Sequence, residues 1–459
     1  MTVVLTALGN PWESRVATLL EGSRVVQIVR RCADLADLVA TASAGLGSVA
    51  LVSVDLRGLD LSTVAQLREL RLAVVGVATS DDEGAERRLR QLGVARVVPG
   101  GADLAVFEAA LTADVTDREP PPVGRPVAAA REGSGAGVDM DPAAETLRRL
   151  DPDRPPSAAE GPPGGAEGLT PPGEVTPASD AEPGRIVAVW GPTGAPGRTT
   201  VAVTLATELA ALGVPTVLVD ADTYGGSVAQ ALSFLDEAPG IAAATRAADQ
   251  GTLDLPLLAR LAPVASPGLR VVTGIPKAER WTEIRAPALE RVLTLARRLG
   301  QVVVVDCGFN LEDDEELSYD TMAPRRNAAT LTTLSLADEV VAVGGCDPVS
   351  LQRLVRGLQE LGEVSGPRPV VVVNRVRPGA VGARPETRVA EALSRFAGVE
   401  DVVFVPDDPA ALDAALLEGR SLAECAPQSP VRAAVRGLAA RVVGVAVPHG
   451  RRGRRLLHR

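Results

Sequence analysis

An α/β fold built on parallel sheets is what the sequence predicts, and three observations predict it. Short runs of Val, Ile and Leu recur along two long stretches of the chain, each run followed by a polar or amphipathic stretch of helical length. One run, Val187-Ala-Val-Trp190, leads directly into the glycine-rich turn Gly191-Pro-Thr-Gly194-Ala195-Pro196-Gly197 and then into Arg198-Thr199-Thr200, so that strand, loop and helix start follow without a break. Between the two stretches the composition shifts to Pro, Ala, Gly and Glu, which divides the chain into residues 1–112, 113–184, 185–445 and a basic tail, 446–459.

Residues 1–112 read as five strand–helix units, with strands expected at Val3–Leu8, Arg24–Val29, Val49–Val54, Leu72–Ala78 and Val94–Val98. Such alternation implies a parallel sheet covered by helices on both faces, and the length fits a flavodoxin-like domain. Residues 113–184 lack the apolar side chains that would offset the entropy of ordering them, so a disordered linker is expected, with at most a short helix at Ala143–Leu150.

In the third segment strands are expected at Ile186–Trp190, Thr216–Asp220, Leu269–Thr273, Val302–Asp306, Glu339–Val343, Pro369–Val373 and Val402–Val405. Several are almost wholly aliphatic, as strands buried on both faces of a parallel sheet must be. Helices are expected at Thr199–Leu212, Ala286–Leu299, Val349–Leu361 and Val431–Val443. The expectation is a doubly wound parallel-sheet P-loop NTPase domain, preceded by the smaller α/β domain.

Bulk composition excludes several functions. The 459 residues exceed one ordinary core. A net charge of −11 argues against a protein that coats nucleic acid, and 2% aromatic content leaves little surface on which bases could stack. Cys32, Cys307, Cys346 and Cys425 are scattered without a C-x-x-C pair, which suggests neither a disulfide framework nor a zinc or iron–sulfur site and points to a reducing cytoplasm. The only histidines, His449 and His458, lie in the tail, so histidine triads and His-ligated metals are not expected. No basic-then-apolar leader opens the chain, and no apolar run approaches the roughly 20 residues needed to span a bilayer.

The chemistry gathers at strand ends, where open α/β sheets bind ligands. Gly191, Gly194 and Gly197 permit backbone angles and close approaches that side chains forbid, letting loop N–H groups and a helix N-terminus face a phosphate. The pattern G-x-x-x-x-G-K-[ST] is approached here with Arg198 in the lysine's place and Thr199 as the hydroxyl residue that holds Mg²⁺. Val217-Leu-Val-Asp220-Ala-Asp222 places two carboxylates after a buried strand, able to position water or to cap a loop. Val302-Val-Val-Val-Asp306 has the form of a Walker B strand, delivering one carboxylate toward Mg²⁺. Asn374 and Arg375 end a later strand, where an amide could meet a purine edge.

These motifs, in this order, resemble the MinD/ParA group of P-loop ATPases with a deviant Walker A loop, over roughly Arg185 to Val443. The resemblance puts Thr193 at the group's signature lysine, Arg198 at its P-loop lysine, Asp220 and Asp222 at its Asp-x-Asp and Asp306 at its Walker B acid. It assigns adenine contact to Asn374, Arg375, Pro406 and Asp408, ATP and Mg²⁺ as cofactors, and an ATP-dependent homodimer as the working state. A receiver-like domain joined to such an ATPase looks like the CpaE family, which is associated with pilus assembly and polar localisation. Asp55 closes the third strand where a receiver keeps its phosphoacceptor, but Asn10 and Pro11 replace the acidic pair and Val97-Val98-Pro99 lacks the lysine, so a pseudo-receiver is expected. Its expected role is to hold a protein partner.

The tail carries five arginines but only Leu456 and Leu457 could insert into a membrane, so membrane contact is expected to be weak or absent and specific nucleic-acid binding is not expected. Two readings stand. One is a cytoplasmic, slowly turning ATPase for localisation or assembly, with peripheral contact at the inner membrane face allowed. The other is a nucleotide-binding scaffold with negligible hydrolysis.

Overall fold

The computed structural model describes residues 1–9, 12–79, 82–113, 182–194, 197–234, 239–313, 324–364 and 366–444. Most of the linker, the Ala143–Leu150 segment, Asn10, Pro11, the loop residues Ala195 and Pro196, and the basic tail lie outside them.

The first sheet has strands β1 (Thr2–Ala7), β2 (Val26–Arg31), β3 (Val49–Ser53), β4 (Ala73–Ala78) and β5 (Arg96–Pro99), all parallel in the order β2-β1-β3-β4-β5. Helices α1 (Trp12–Glu21), α2 (Leu35–Ser43), α3 (Leu61–Glu69), α4 (Glu83–Gln91) and α5 (Leu104–Thr112) connect and follow the strands. Four of them begin on the same device. Asp34, Asp60, Asp82 and Asp103 each accept a hydrogen bond from the backbone N–H three residues on, satisfying a donor that the first helical turn leaves free.

The second sheet has β6 (Arg185–Trp190), β7 (Thr216–Ala221), β8 (Val264–Ser266), β9 (Leu269–Val272), β10 (Val302–Cys307), β11 (Glu339–Gly345), β12 (Val370–Val376) and β13 (Val402–Pro406), in the order β13-β12-β11-β6-β10-β7-β9-β8. All seven expected strands are present within a few residues of their expected bounds. The exception to the expected parallel sheet is β8, an edge strand that pairs antiparallel with β9 through a tight turn at Pro267 and Gly268. Three residues are too few to carry a periodic signal, and Gly268 at φ +81° supplies the turn.

The helices of this half are α6 (Arg198–Ala211), α7 (Val228–Ala231), α8 (Gly240–Asp249), α9 (Leu255–Leu261), α10 (Ala286–Leu299), α11 (Ala328–Leu336), α12 (Pro348–Leu361), α13 (Pro378–Val381), α14 (Pro385–Ala397), α15 (Pro409–Glu418), α16 (Leu422–Cys425) and α17 (Pro430–Val442), with a 3₁₀ turn at Ala278–Glu283. Successive residues of each strand feed opposite cores. Ile186, Ala188 and Trp190 pack with α8, α10 and α11, whereas Val187 and Val189 pack with α6 and α17. This is a doubly wound sheet. On the second face Glu208 of α6, fully buried, pairs with Arg432 of α17 at 2.6 Å.

The two sheets belong to one compact unit. Helix α3 packs on α8 and α10. Ser62 Oγ donates to Asp249 Oδ1 at 3.0 Å, Arg285 Nη1 lies 3.3 Å from Asp60 Oδ2, and Arg88 Nε donates to the Gln250 carbonyl at 3.2 Å. Gly251, at φ +65°, lets Leu92 approach to 2.8 Å of where a Cβ would stand. No helix among the described residues is long and apolar enough to cross a membrane.

Burial raises the Asp249 carboxyl above its usual range, and Asp60 adds to that, while Ser62 and Arg285 oppose it. The folded state therefore holds this proton more tightly than the unfolded chain. The stabilisation is complete below the unfolded carboxylate pKa of about 4 and is lost as pH rises through the folded value. Asp249→Asn, which keeps an acceptor for Ser62, should raise the melting temperature at about pH 8 and leave it unchanged near pH 4. An equal increment at both would assign the effect to something other than the charge.

Candidate functional site

The site forms at the carboxyl ends of the central strands. β6 ends at Trp190, whose fully buried ring is fixed by Nε1 donating to the Phe309 carbonyl at 3.1 Å. The chain then turns through Gly191–Gly197 into α6, with Gly194 at φ +67° and Gly197 at φ +89°, both in the left-handed region that favours glycine. A Cβ at Gly197 would collide with the Asn374 amide, and one at Gly194 with the Arg353 guanidinium. Glycine at both positions lets these two side chains lie against the loop's backbone.

Beneath the loop lie two carboxylates side by side. β10 and β7 pair in register with Asp306 opposite Asp220, and both are almost completely buried. Asp220 Oδ1 accepts from the Asp222 N–H at 3.2 Å and Oδ2 from the Val228 N–H at 3.1 Å. Burial is the main cause that pushes the Asp220 pKa up to about 7, with Asp222 adding a repulsive charge. Gly274 packs directly on this carboxylate, since a Cβ there would stand 2.6 Å from Cγ.

Thr199 Oγ1, in the first turn of α6, donates to Asp306 Oδ2 at 2.6 Å. Asp306 Oδ1 is buried without a hydrogen-bond partner. Desolvation and then the Asp220 charge raise the Asp306 pKa well above the usual carboxylate range. A buried acceptor without a donor, next to a hydroxyl under a glycine loop, fits a hard cation reached through water. Among the described residues no three His, Cys, Asp or Glu side chains converge as a metal site, so a cation here would draw its remaining ligands from water and phosphate.

Arg198 does not reach outward. Its Nη1 donates to the Gly191 carbonyl at 3.0 Å and its Nη2 to Asp222 Oδ2 at 3.2 Å, bracing the loop against the end of β7. The other Asp222 oxygen accepts from the N–H groups of Tyr224 and Gly225 at 2.8 and 3.2 Å, so the residue caps its own turn while pairing with Arg198.

The remaining expected site residues divide into two groups. Thr200 continues the first turn of α6, and Asn374, buried at the end of β12, meets the loop at Gly197, so both join the cluster. Thr193 is exposed. Arg375 is exposed in a left-handed conformation, φ +56°. Pro406 and Asp408 lie at the end of edge strand β13. Asp408 caps α15 through the Ala411 N–H at 3.3 Å and accepts from Ser429 Oγ at 2.8 Å.

The structure adds residues that sequence reading passed over. Arg326 Nη1 donates to Thr223 Oγ1 at 2.9 Å, and its Cζ lies 3.8 Å from the Tyr224 ring centroid and 5.2 Å from that of Trp281. Tyr224 in turn packs on Phe309, ring centroids 4.7 Å apart. One signal could have found the two rings, though not Arg326 or Trp281: with only two tyrosines and five phenylalanines in the chain, Tyr224 two residues after Asp222 and Phe309 three after Asp306 are conspicuous.

No protein-family description matches the chain, and no curated protein matches it in sequence. Among solved structures it is similar to a ParA family ATPase from Chlorobium tepidum (20% identity, 56% of this chain and 98% of that one, TM-score 0.47). It is similar as well to the septum site-determining protein MinD of Pyrococcus horikoshii, complexed with Mg-ADP (18% identity, 56% and 95%, TM-score 0.45). A McdA–ATP complex from Cyanothece is a third (14% identity, 59% and 100%, TM-score 0.44). At these scores the likeness adds nothing to the strand order and register given above, on which the fold rests.

Asp306→Asn removes a desolvated charge while keeping an acceptor for Thr199. The ligand-free protein should melt at a higher temperature, and Mg²⁺ should no longer strengthen nucleotide binding when titrated calorimetrically. An undiminished Mg²⁺ effect in the variant would exclude Asp306 from cation binding.

Proposed function

We propose that the chain is a Mg²⁺–ATP-binding protein of the MinD/ParA type, CpaE-like in its domain order, whose slow hydrolysis switches a nucleotide-dependent homodimer in localisation or assembly. The observation that carries this reading is the meeting of a glycine-walled loop and helix start with the Thr199–Asp306 pair, whose second carboxylate oxygen is buried without a partner. In this reading the N–H groups of Gly194 and of residues 197–200 bind the phosphates and Thr199 and Asp306 hold the cation, which when bound neutralises phosphate charge. Asp222 orients the attacking water, with Asp220 beside it. Asn374, Arg375, Pro406 and Asp408 border the adenine. The receiver-like domain holds a protein partner, 113–184 serves as the linker, and the protein works in the cytoplasm.

The scaffold reading has its own support. Asp222, the residue assigned to the water, is already paired with Arg198, and Thr193 offers no charge that could reach across a dimer. A planar guanidinium is also bulkier in a phosphate cradle than an ammonium.

Kinetics separate the two. Wild type should bind ATP with Mg²⁺ and turn it over slowly. Arg198→Lys should raise the rate by about tenfold with little change in affinity. Adding Thr193→Lys should raise it again, in a manner that depends on protein concentration. Asp222→Ala should abolish hydrolysis yet tighten binding, because it releases Arg198 toward the phosphates. A wild-type rate typical of fast ATPases, unchanged by Arg198→Lys, would sink both the slow-switch and the scaffold readings.

A further inference from the structure

We propose that Arg353 is the outward cation of the phosphate loop and contacts the polyphosphate directly, an inference that rests on the nucleotide-binding reading above. Helix α12 is fixed against β11 and the start of the loop by two close approaches. A Cβ at Gly344 of β11 would stand 2.6 Å from Leu354 Cδ2, and one at Gly357 would stand 3.0 Å from both the Trp190 ring and Pro192 Cβ. Arg353 lies one helical turn before Gly357, on the face that meets the loop. Its guanidinium fills the space that a Cβ on Gly194 would take, with Cζ 3.3 Å and Cδ 4.0 Å from that position.

The charge at the loop is otherwise committed or missing. Arg198 donates inward to Gly191 and Asp222, and Thr193 is neutral. Arg353 is exposed and has no hydrogen bond or ion pair among the described residues, so nothing within the fold accounts for its position over a glycine. An unpaired guanidinium beside the backbone of Gly194 meets the chemistry of a phosphate: planar donors and a full positive charge. It sits on a neighbouring helix and not within the loop, which is why the loop pattern alone does not reveal it.

The test titrates the full-length protein with ATP and, separately, with pyrophosphate, both with Mg²⁺. Arg353→Ala should weaken both ligands by about tenfold or more, the loss expected for one charge-assisted contact. The melting temperature should not move, because the side chain is exposed and unpaired. Arg353→Lys should fall between Arg353→Ala and wild type. Arg298→Ala, which removes a charge from the far end of α10, should bind like wild type. Unchanged affinities in Arg353→Ala, beside normal wild-type binding, would overturn the proposal and leave the nucleotide site standing, as would a loss in Arg298→Ala equal to that in Arg353→Ala. No binding by wild type would remove the nucleotide reading itself and this inference with it.

Discussion

Two carboxylates on adjacent strands, in register and out of water, constrain everything around the site. A pair of buried negative charges at that spacing cannot both ionise without compensation, because each adds a Coulomb penalty to the other's desolvation. The surrounding structure supplies compensation unevenly. Asp220 receives two backbone N–H groups and the close packing of Gly274, and through them closes the turn to Val228. Asp306 receives one hydroxyl and keeps an orphaned oxygen. The fold has satisfied one acid and left its neighbour with a buried acceptor that has no partner.

The same constraint explains the placement of Arg198. A positive charge is required near the acids, and the guanidinium reaches Asp222 while its other arm ties down the loop. Lys277 is the single lysine of the chain, so all the other basic residues among the 47 are arginines. An arginine at 198 thus follows the chain's general choice of base as well as the demands of the site. The mechanical result is a brace between the loop and β7 that a shorter ammonium, with no fork, could not form.

Legibility in the sequence followed the physics of each element. Strands such as Val302–Cys307 were readable because burial on both faces demands an unbroken aliphatic run, and the order of acids after those runs was readable because a parallel sheet puts every strand end on one edge. β8 was not, being three residues long and set by a turn. Nor were Arg326, Trp281 or Arg353, whose roles come from helices and loops that approach the edge from elsewhere in the chain. The docking of α3 was equally hidden: Asp60 reads as a helix cap, which it is, but its second oxygen also pairs with Arg285, and no local pattern reports that.

Two of those unread residues, Arg326 and Trp281, lie on a continuous path. From Asp222 the turn passes to Thr223 and Tyr224, which Arg326 grips. Arg326 also faces Trp281 in the 3₁₀ turn, and the chain beyond that turn reaches Arg285 and its pairing with Asp60. Contiguity alone does not couple two sites, which requires an element with two arrangements that both sites bias. In this path the Arg198–Asp222 pair, mostly buried at 3.2 Å, is the contact that borders the loop. The turn that follows Asp222 is held on its other side by Arg326. Helix α3 meets the segment just after the 3₁₀ turn through the Asp60–Arg285 pair. This set of contacts therefore runs through the turn after β7 and the 3₁₀ turn, and not through the buried strands of the sheet.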